Sequence, residues 1–530
     1  MIKTLFSLFL GVAAAVVPLK AIAAERITFN VSPFGQFYVE VEDLKTFVET
    51  KEVSSELAYY LKRLPPKQVE RLPELLSTPL EFHPLTIAKF TNSTIGETVI
   101  RNFGKGIRTT TNENGFLALR SAIIAAAFDR QGLTAINLLE RFPLETIYID
   151  FEIVEQYIKR GEQLLQNRQI IDRLFFSDGI AQVKTDNTIP EALSKPGQYN
   201  WHKQTLTYNN IKSSKLGYFD LYLPDKQKSS LIVISHGIAS NRETFTYLGK
   251  HLASHGFAVA IIEHDDISFK KFDGFLSGND DFPEPNNLTD RPLDIRYVLD
   301  KLEKDALLQN KINLQQVGVI GHSFGAYTSL VLAGGKLTVE PQAKQCQTEN
   351  YQNVLLDLSS LAKCTFNEFS QTDYQLEDSR IKAVIAINPM SKIFGKAGIS
   401  SIDIPTMFVG GTNDLIMPPV AEQIQPFSWL NSGFDKYLVL VKPGTHFSFL
   451  REGLGVLPVP DKVVGISPTQ AYPIIQSLTT VFFQAYLDRQ LVKREYLQSN
   501  SLNSIGNDSF QLSIIRSLTD AQLQKLFKKH

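Results

Sequence analysis

Between Leu231 and Val441, six short runs are apolar through their middle: SLIVISHG, FAVAIIEH, QQVGVIGHS, IKAVIAIN, PTMFVGG and KYLVLV. A strand with one wet face alternates apolar and polar residues. Runs without that alternation need cover on both faces, as in a parallel sheet between two layers of helices. The intervening text supplies the helices. NRETFTYLGKHLASHG reads as a helix ended by Gly256, and RPLDIRYVLDKLEKD and FGAYTSLVLAGG read as two more. Two strand-like runs, KQTLTYN and YFDLYLP, come before them. This alternation specifies an α/β fold with a mostly parallel, doubly covered sheet, in which ligands bind beyond the carboxyl ends of the strands.

The chemistry-bearing residues fall at that edge. GHSFG, Gly321 to Gly325, lies between the apolar VGVI and the helical AYTSLVLA, so Ser323 occupies a strand-turn-helix junction. There its hydroxyl projects above the sheet, at the positive end of the following helix. A hydroxyl needs a base to act as a nucleophile. Of nine histidines only His446 and the terminal His530 follow Ser323, and His446 stands just beyond the KYLVLV strand. The base needs a carboxylate to fix its tautomer and balance its charge. Asp403 and Asp435 precede strands and belong to the opposite edge, and the acids from Glu340 to Asp378 lie in a polar insertion. Asp414 directly follows PTMFVGG, and the order Ser323, Asp414, His446 is that of an α/β-hydrolase triad. An oxyanion hole needs two backbone N–H donors. Phe324, next to the nucleophile, is one; Ile238, in the loop after SLIVISHG, is the other, with Ala239 as second choice. His236 is expected to orient that loop. EHDDIS, Glu263 to Ser268, offers one histidine with acids but no second ligand set. No metal is expected there, and the segment is read as pocket rim.

The rest of the chain bounds the setting. With 530 residues it exceeds one ordinary domain. A net charge of −1 gives no electrostatic reason to expect nucleic acid. Lys3, an apolar run from Leu5 to Leu19 and the triplet Ala21-Ile22-Ala23 have the layout of a signal peptide cleaved near Ala23. The alternative, a membrane anchor, would need about 20 apolar residues. Loss of Lys3 and Lys20 takes the net charge to −3. No later segment reads as a transmembrane span, so the mature protein is expected to be soluble, in the periplasm or secreted. The partition is then 1–24 signal peptide, 25–200 mainly helical domain and 201–530 catalytic domain. The helical domain opens with one hairpin, RITFNVSPFGQFYVEVEDL. VSSELAYYLKRLPPKQVERLPELL and ETIYIDFEIVEQYIKRGEQLLQ follow as helices, the first pair broken at Pro65 and Pro66. Its protein partner, if it has one, is not legible. An insertion near 336–380 carries apolar text such as NVLLDLSSLA and is read as a cap over the pocket. Cys346 and Cys364 are expected to form a disulfide within it, two free thiols being the alternative.

SHGIASNRETF, AIIEHDDIS, RPLDIRYVLDKL and VGVIGHSFGAY, all within residues 203–490, resemble α/β hydrolases of the platelet-activating-factor acetylhydrolase and predicted dienelactone hydrolase group. The first third resembles the uncharacterised N-terminal domain of exported bacterial members. The resemblance implies hydrolysis of a carboxylic ester, with the acyl or acetyl ester of a phospholipid as substrate class, and it too implies Ile238 and Phe324 as oxyanion donors. Two departures stand out. The acetylhydrolase carries its acid at the end of the strand after the nucleophile, where this chain has Asn388. Dienelactone hydrolases proper use a cysteine nucleophile, where this chain has Ser323. The expectation is a serine esterase acting through an acyl-enzyme on a small-molecule or lipid ester, without cofactor. Two other readings are a serine peptidase or amidase of the same fold, and a non-catalytic scaffold whose helical domain binds a partner.

Overall fold

The computed structural model describes residues 23–31, 35–80, 82–177, 189–210, 214–282, 288–337, 359, 375–451, 461–498 and 505–527. Most of the signal peptide, both cysteines, His530 and nearly all of the insertion read as a cap therefore lie outside the described residues. The chain divides into two compact units. One holds Met1–Arg160 together with Gly274–Phe282; the other holds Gly161–Asp273 and Pro283–His530.

The first unit opens with the hairpin read from sequence: β1 (Arg26–Val31) pairs antiparallel with β2 (Gly35–Glu40). The prolines act as punctuation. Helix Ser55–Leu61 ends before them, and Pro66 is the first residue of helix Pro66–Ser77, where its missing N–H costs nothing. Helices make up most of this unit, but the sequence reading missed that the hairpin belongs to a four-stranded sheet of order β2-β1-β4-β3, with β3 at Ile107–Arg108 and β4 at Thr146–Ile149. TIYI, taken as the start of a helix, instead runs parallel to β1. Its alternating isoleucines suit a strand, and Ile147 is buried with Ile100, Phe116, Leu119 and Phe142. The helix starts only at Phe151.

The second unit carries a nine-stranded sheet of order β13-β12-β11-β10-β9-β7-β8-β6-β5. Its strands are β5 (Trp201–Asn210), β6 (Lys215–Pro224), β7 (Ser229–Ser235), β8 (Ala258–Glu263), β9 (Ile312–His322), β10 (Ile381–Ile387), β11 (Thr406–Gly411), β12 (Lys436–Lys442) and β13 (Gln511–Ile515). From β8 to β12 every neighbour is parallel; β5 and β6 at one margin and β13 at the other are antiparallel. The six apolar runs are the six parallel strands. Their residues alternate between two cores: Leu231 and Val233 enter one, Ile232 and Ile234 the other. Helices Asp290–Lys304 and Phe324–Leu332 bury side chains in the first core, and Thr246–Ser254 and Tyr472–Tyr486 in the second. β13 has no counterpart in the sequence reading. Its five residues are too few to stand out when the partner is the distant β12.

Candidate active site

Ser323 is the single residue between β9 and helix Phe324–Leu332, at φ 55° and ψ −117°. Few non-glycine residues occupy this left-handed region, and its strain is what a nucleophile turn stores. The flanking glycines are obligatory for steric reasons. A Cβ on Gly321 would stand 2.0 Å from the Gly325 carbonyl oxygen, and one on Gly325 would stand 2.1 Å from that of Ser235. The Ser323 N–H donates to Ile387 O (2.9 Å), which pins the turn to the end of β10.

The acid and the base come from the next two strand ends. Asp414, beyond β11, and His446, beyond β12, are both buried and joined by an Nδ1···Oδ2 hydrogen bond of 2.8 Å. The other carboxylate oxygen accepts the N–H groups of Ile416 (2.9 Å) and Met417 (2.7 Å), so Asp414 is fixed from both sides. The histidine loop is fixed as well. His322 Nε2 donates to His446 O (3.0 Å), with the two rings 4.8 Å apart, and this sets His446 against the residue preceding Ser323. Burial first, and the neighbouring His446 second, hold the His322 pKa well below the usual histidine value, so it donates as a neutral ring.

Asn388 was singled out only as the place where an acid was missing. It has a positive role here. From the end of β10, at φ 44°, its Nδ2 donates to the carbonyls of Thr445 and His446 (3.2 Å each), and its Oδ1 accepts the Gly411 N–H (3.0 Å). One amide thus joins the strand end that carries the acid to the loop that carries the base. Asp403 and Asp435 lie at the opposite edge, where Asp435 pairs with Arg494 and Arg516.

The loop after β7 approaches from the other side. Gly237 packs so closely that a Cβ on it would lie 3.2 Å from that of Ser323. The Ala239 N–H is taken by Ile267 O (2.9 Å), whereas the Ile238 N–H has no acceptor among the described residues. Phe324, first in its helix, has an N–H without an intrahelical partner. His236 is buried and neutral, its pKa lowered by burial and then by Arg291. Its Nε2 accepts the His264 N–H (3.1 Å), which leaves the proton on Nδ1 to be donated to Gly237 O (2.8 Å).

EHDDIS does not line a rim, as the sequence reading had it. His264 is buried, between Ser235 Oγ (2.9 Å) and Asp294 Oδ2 (3.0 Å). Asp266 accepts a two-pronged contact from the fully buried Arg291. Burial alone would raise the Asp266 pKa; the guanidinium outweighs it and holds the carboxyl at about 2. The charges turn inward because Arg291 and Asp294 project from helix Asp290–Lys304 beneath the loop, a placement that spacing in EHDDIS alone could not reveal. Among the described residues no group of three or more His, Cys, Asp or Glu side chains is placed to hold a metal ion.

A cavity of about 360 Å³ opens beside Asp414 and His446, walled by apolar side chains including Leu164, Leu415, Val420, Phe447 and Ile466. A larger one, about 1090 Å³, lies in the first unit among Glu25, Glu40, Lys45 and Asp129 and includes none of these site residues. Adjacency to the acid–base pair, not size, makes the smaller cavity the relevant one.

Comparison with known proteins bears on the fold and the family rather than on the individual site residues. Residues 23–150 match the family described as alpha/beta hydrolase of unknown function (DUF1400), and residues 189–275 match platelet-activating factor acetylhydrolase, isoform II. The second match covers the loop after β7 and ends before Ser323. Platelet-activating factor acetylhydrolase of Cavia porcellus is 28% identical over 188 residues, 27% of this chain and 43% of that protein. Those of Bos taurus and Canis lupus familiaris are 33% identical over 147 and 141 residues, 21% and 20% of this chain and 33% and 32% of their own lengths. The matched part thus spans less than half of each relative. With the parallel sheet, these likenesses support a hydrolase of the α/β-hydrolase class. No helix among the described residues is long and apolar enough to cross a membrane.

Proposed function

We propose that the protein is a serine carboxylic-ester hydrolase acting on the acyl ester of a lipid or small molecule. The observation that carries this reading is the 2.8 Å bond between His446 Nδ1 and the fixed carboxylate of Asp414, in a loop held against the Ser323 turn. Asp414 keeps the His446 proton on Nδ1, which leaves Nε2 as the base. His446 takes the Ser323 proton as Oγ attacks the ester carbonyl, and the imidazolium is balanced by Asp414. The Phe324 and Ile238 N–H groups receive the charge on the carbonyl oxygen. The tetrahedral adduct collapses, and the alcohol leaves with the proton from His446. Water, deprotonated by the same histidine, then releases the acid and restores Ser323. The apolar cavity beside His446 suits an aliphatic portion of the substrate, and the likeness to platelet-activating factor acetylhydrolases favours a phospholipid ester. The leader-like N-terminus supports an activity outside the cytoplasm, in the periplasm or secreted.

A fluorophosphonate probe should label the purified protein, and Ser323→Ala should abolish the labelling. A panel of esters and matched amides of increasing acyl length should then show turnover of the esters. Absence of labelling would leave a scaffold, and faster turnover of amides would make the protein an amidase.

A further inference from the structure

We propose that Arg291 is a positioning residue that aims both donors of the oxyanion hole. This rests on the esterase reading above. Arg291 is fully buried, and a guanidinium out of water is costly unless every prong is paired. Simple packing would be served as well by an aliphatic side chain of similar volume. Its contacts show where the charge is used. Nε and Nη2 engage the Asp266 carboxylate at 2.8–3.0 Å, which balances the charge. Nη1 donates to His236 O at 2.6 Å, and the guanidinium carbon lies 4.7 Å from the centre of the Phe324 ring. One side chain therefore touches both of the segments that carry the donors.

On the loop side the aim follows from peptide planarity. Arg291 holds the carbonyl of His236, and the His236 ring holds the carbonyl of Gly237. In a planar trans peptide the N–H points opposite to the preceding C=O, so fixing Gly237 O fixes the direction of the Ile238 N–H. The bond from Ala239 N–H to Ile267 O closes the far side. Ile238 is left as the donor that is oriented but not consumed. On the helix side, the contact with the guanidinium holds the ring of Phe324, whose own N–H is the other donor. The positive charge also favours negative charge developing nearby, reduced by Asp266.

Arg291→Met and Arg291→Lys test this in the full-length protein. Lysine keeps a buried positive charge for Asp266 but cannot grip that carboxylate and the His236 carbonyl together. Loss of an oxyanion donor lowers kcat by about 10²–10³. Misaimed donors should lower it by at least about 10-fold, with KM within about 2-fold. The affinity for a trifluoromethyl ketone, which forms a tetrahedral adduct on Ser323, should fall by the same factor as kcat/KM. A folded variant whose kcat stays within about 2-fold of the parent, or whose loss lies in KM, overturns the proposal. So does an unchanged ketone affinity, or a failure of both variants to fold, which would assign Arg291 to stability. If the parent is not labelled at Ser323, the proposed function falls, and this inference with it.

Discussion

Two loops reach the Ser323 turn from opposite sides of the sheet, and they are fixed by different chemistry. The loop after β7 rests on a buried ion pair, Arg291 with Asp266, and on the buried hydrogen bond between His264 and Asp294. The loop after β12 is gripped by neutral groups, the Asn388 amide and the His322 ring, and the Asp414 carboxylate touches that loop at the His446 imidazole. The proposed reaction would account for the difference. Negative charge develops at the first loop, where a buried cation helps. Positive charge develops on His446 in the second, where a cation would oppose it and a single carboxylate is wanted.

The largest effect should come from the carboxylate on the neutral side. Asp414→Asn keeps the shape but lets His446 adopt the wrong tautomer, and kcat should fall by about 10⁴ in an ester assay, with the thermal transition of a folded protein retained. A near-normal kcat would remove Asp414 from the triad.

On the ionic side, stability is the more sensitive quantity. Asp266→Asn leaves Arg291 buried without its counter-charge, and breaking a buried pair in this way costs about 3–5 kcal/mol. Urea denaturation should show that loss. A change below about 1 kcal/mol would mean that the pair is not buried in solution. Asn388→Ala should cost less on both scales. It removes three hydrogen bonds to backbone, at a net value of about 1 kcal/mol each. We expect a loss of about 2–3 kcal/mol, with kcat falling about 10-fold or less, since Asp414 still holds His446. If Asn388→Ala lowered kcat more than Asp414→Asn, the acid role would belong at the end of β10 after all.

The two sides were not equally legible. Ser323, Asp414 and His446 each follow an apolar run, and a strand end is a position that sequence marks well. The structure brings the acid and the base together where that marking put them. Asn388 carries the same mark, yet its two carbonyl partners lie in the β12 loop, and a bond to a distant backbone leaves no trace in residue type. Arg291 and Asp294 read as ordinary surface charges of an amphipathic helix. They are buried because the β7 loop folds over them, and only tertiary contact decides that. TIYI was misread because a short isoleucine pair fits either period, and its parallel partner β1 lies far upstream.

The smallest effect distinguishes the two sides through pH. Burial, and then the Asp266 carboxylate, raise the pKa of Asp294 from 3.8 to about 7; burial, and then Arg291, lower that of His264 from 6.5 to about 3. Between about pH 4 and 6.5 the unfolded pair carries one proton, on His264. The folded pair also carries one, on Asp294. Equal proton counts mean that the pair contributes no pH slope to stability. Either single substitution unmasks the other member. In His264→Asn, Asp294 remains with a raised folded pKa, so stability is greatest below about pH 4 and falls as pH rises towards 7. In Asp294→Asn, His264 remains with a lowered folded pKa, so stability is greatest above about pH 6.5 and falls as pH drops towards 3. Each slope is at most about 1.4 kcal/mol per pH unit, one proton's worth. Asn388→Ala, on the neutral side, should leave the parent's slope unchanged. Denaturation midpoints from pH 4 to 7 check all three variants, and slopes of the same sign in His264→Asn and Asp294→Asn would show that the pair does not hold a single proton in the folded protein.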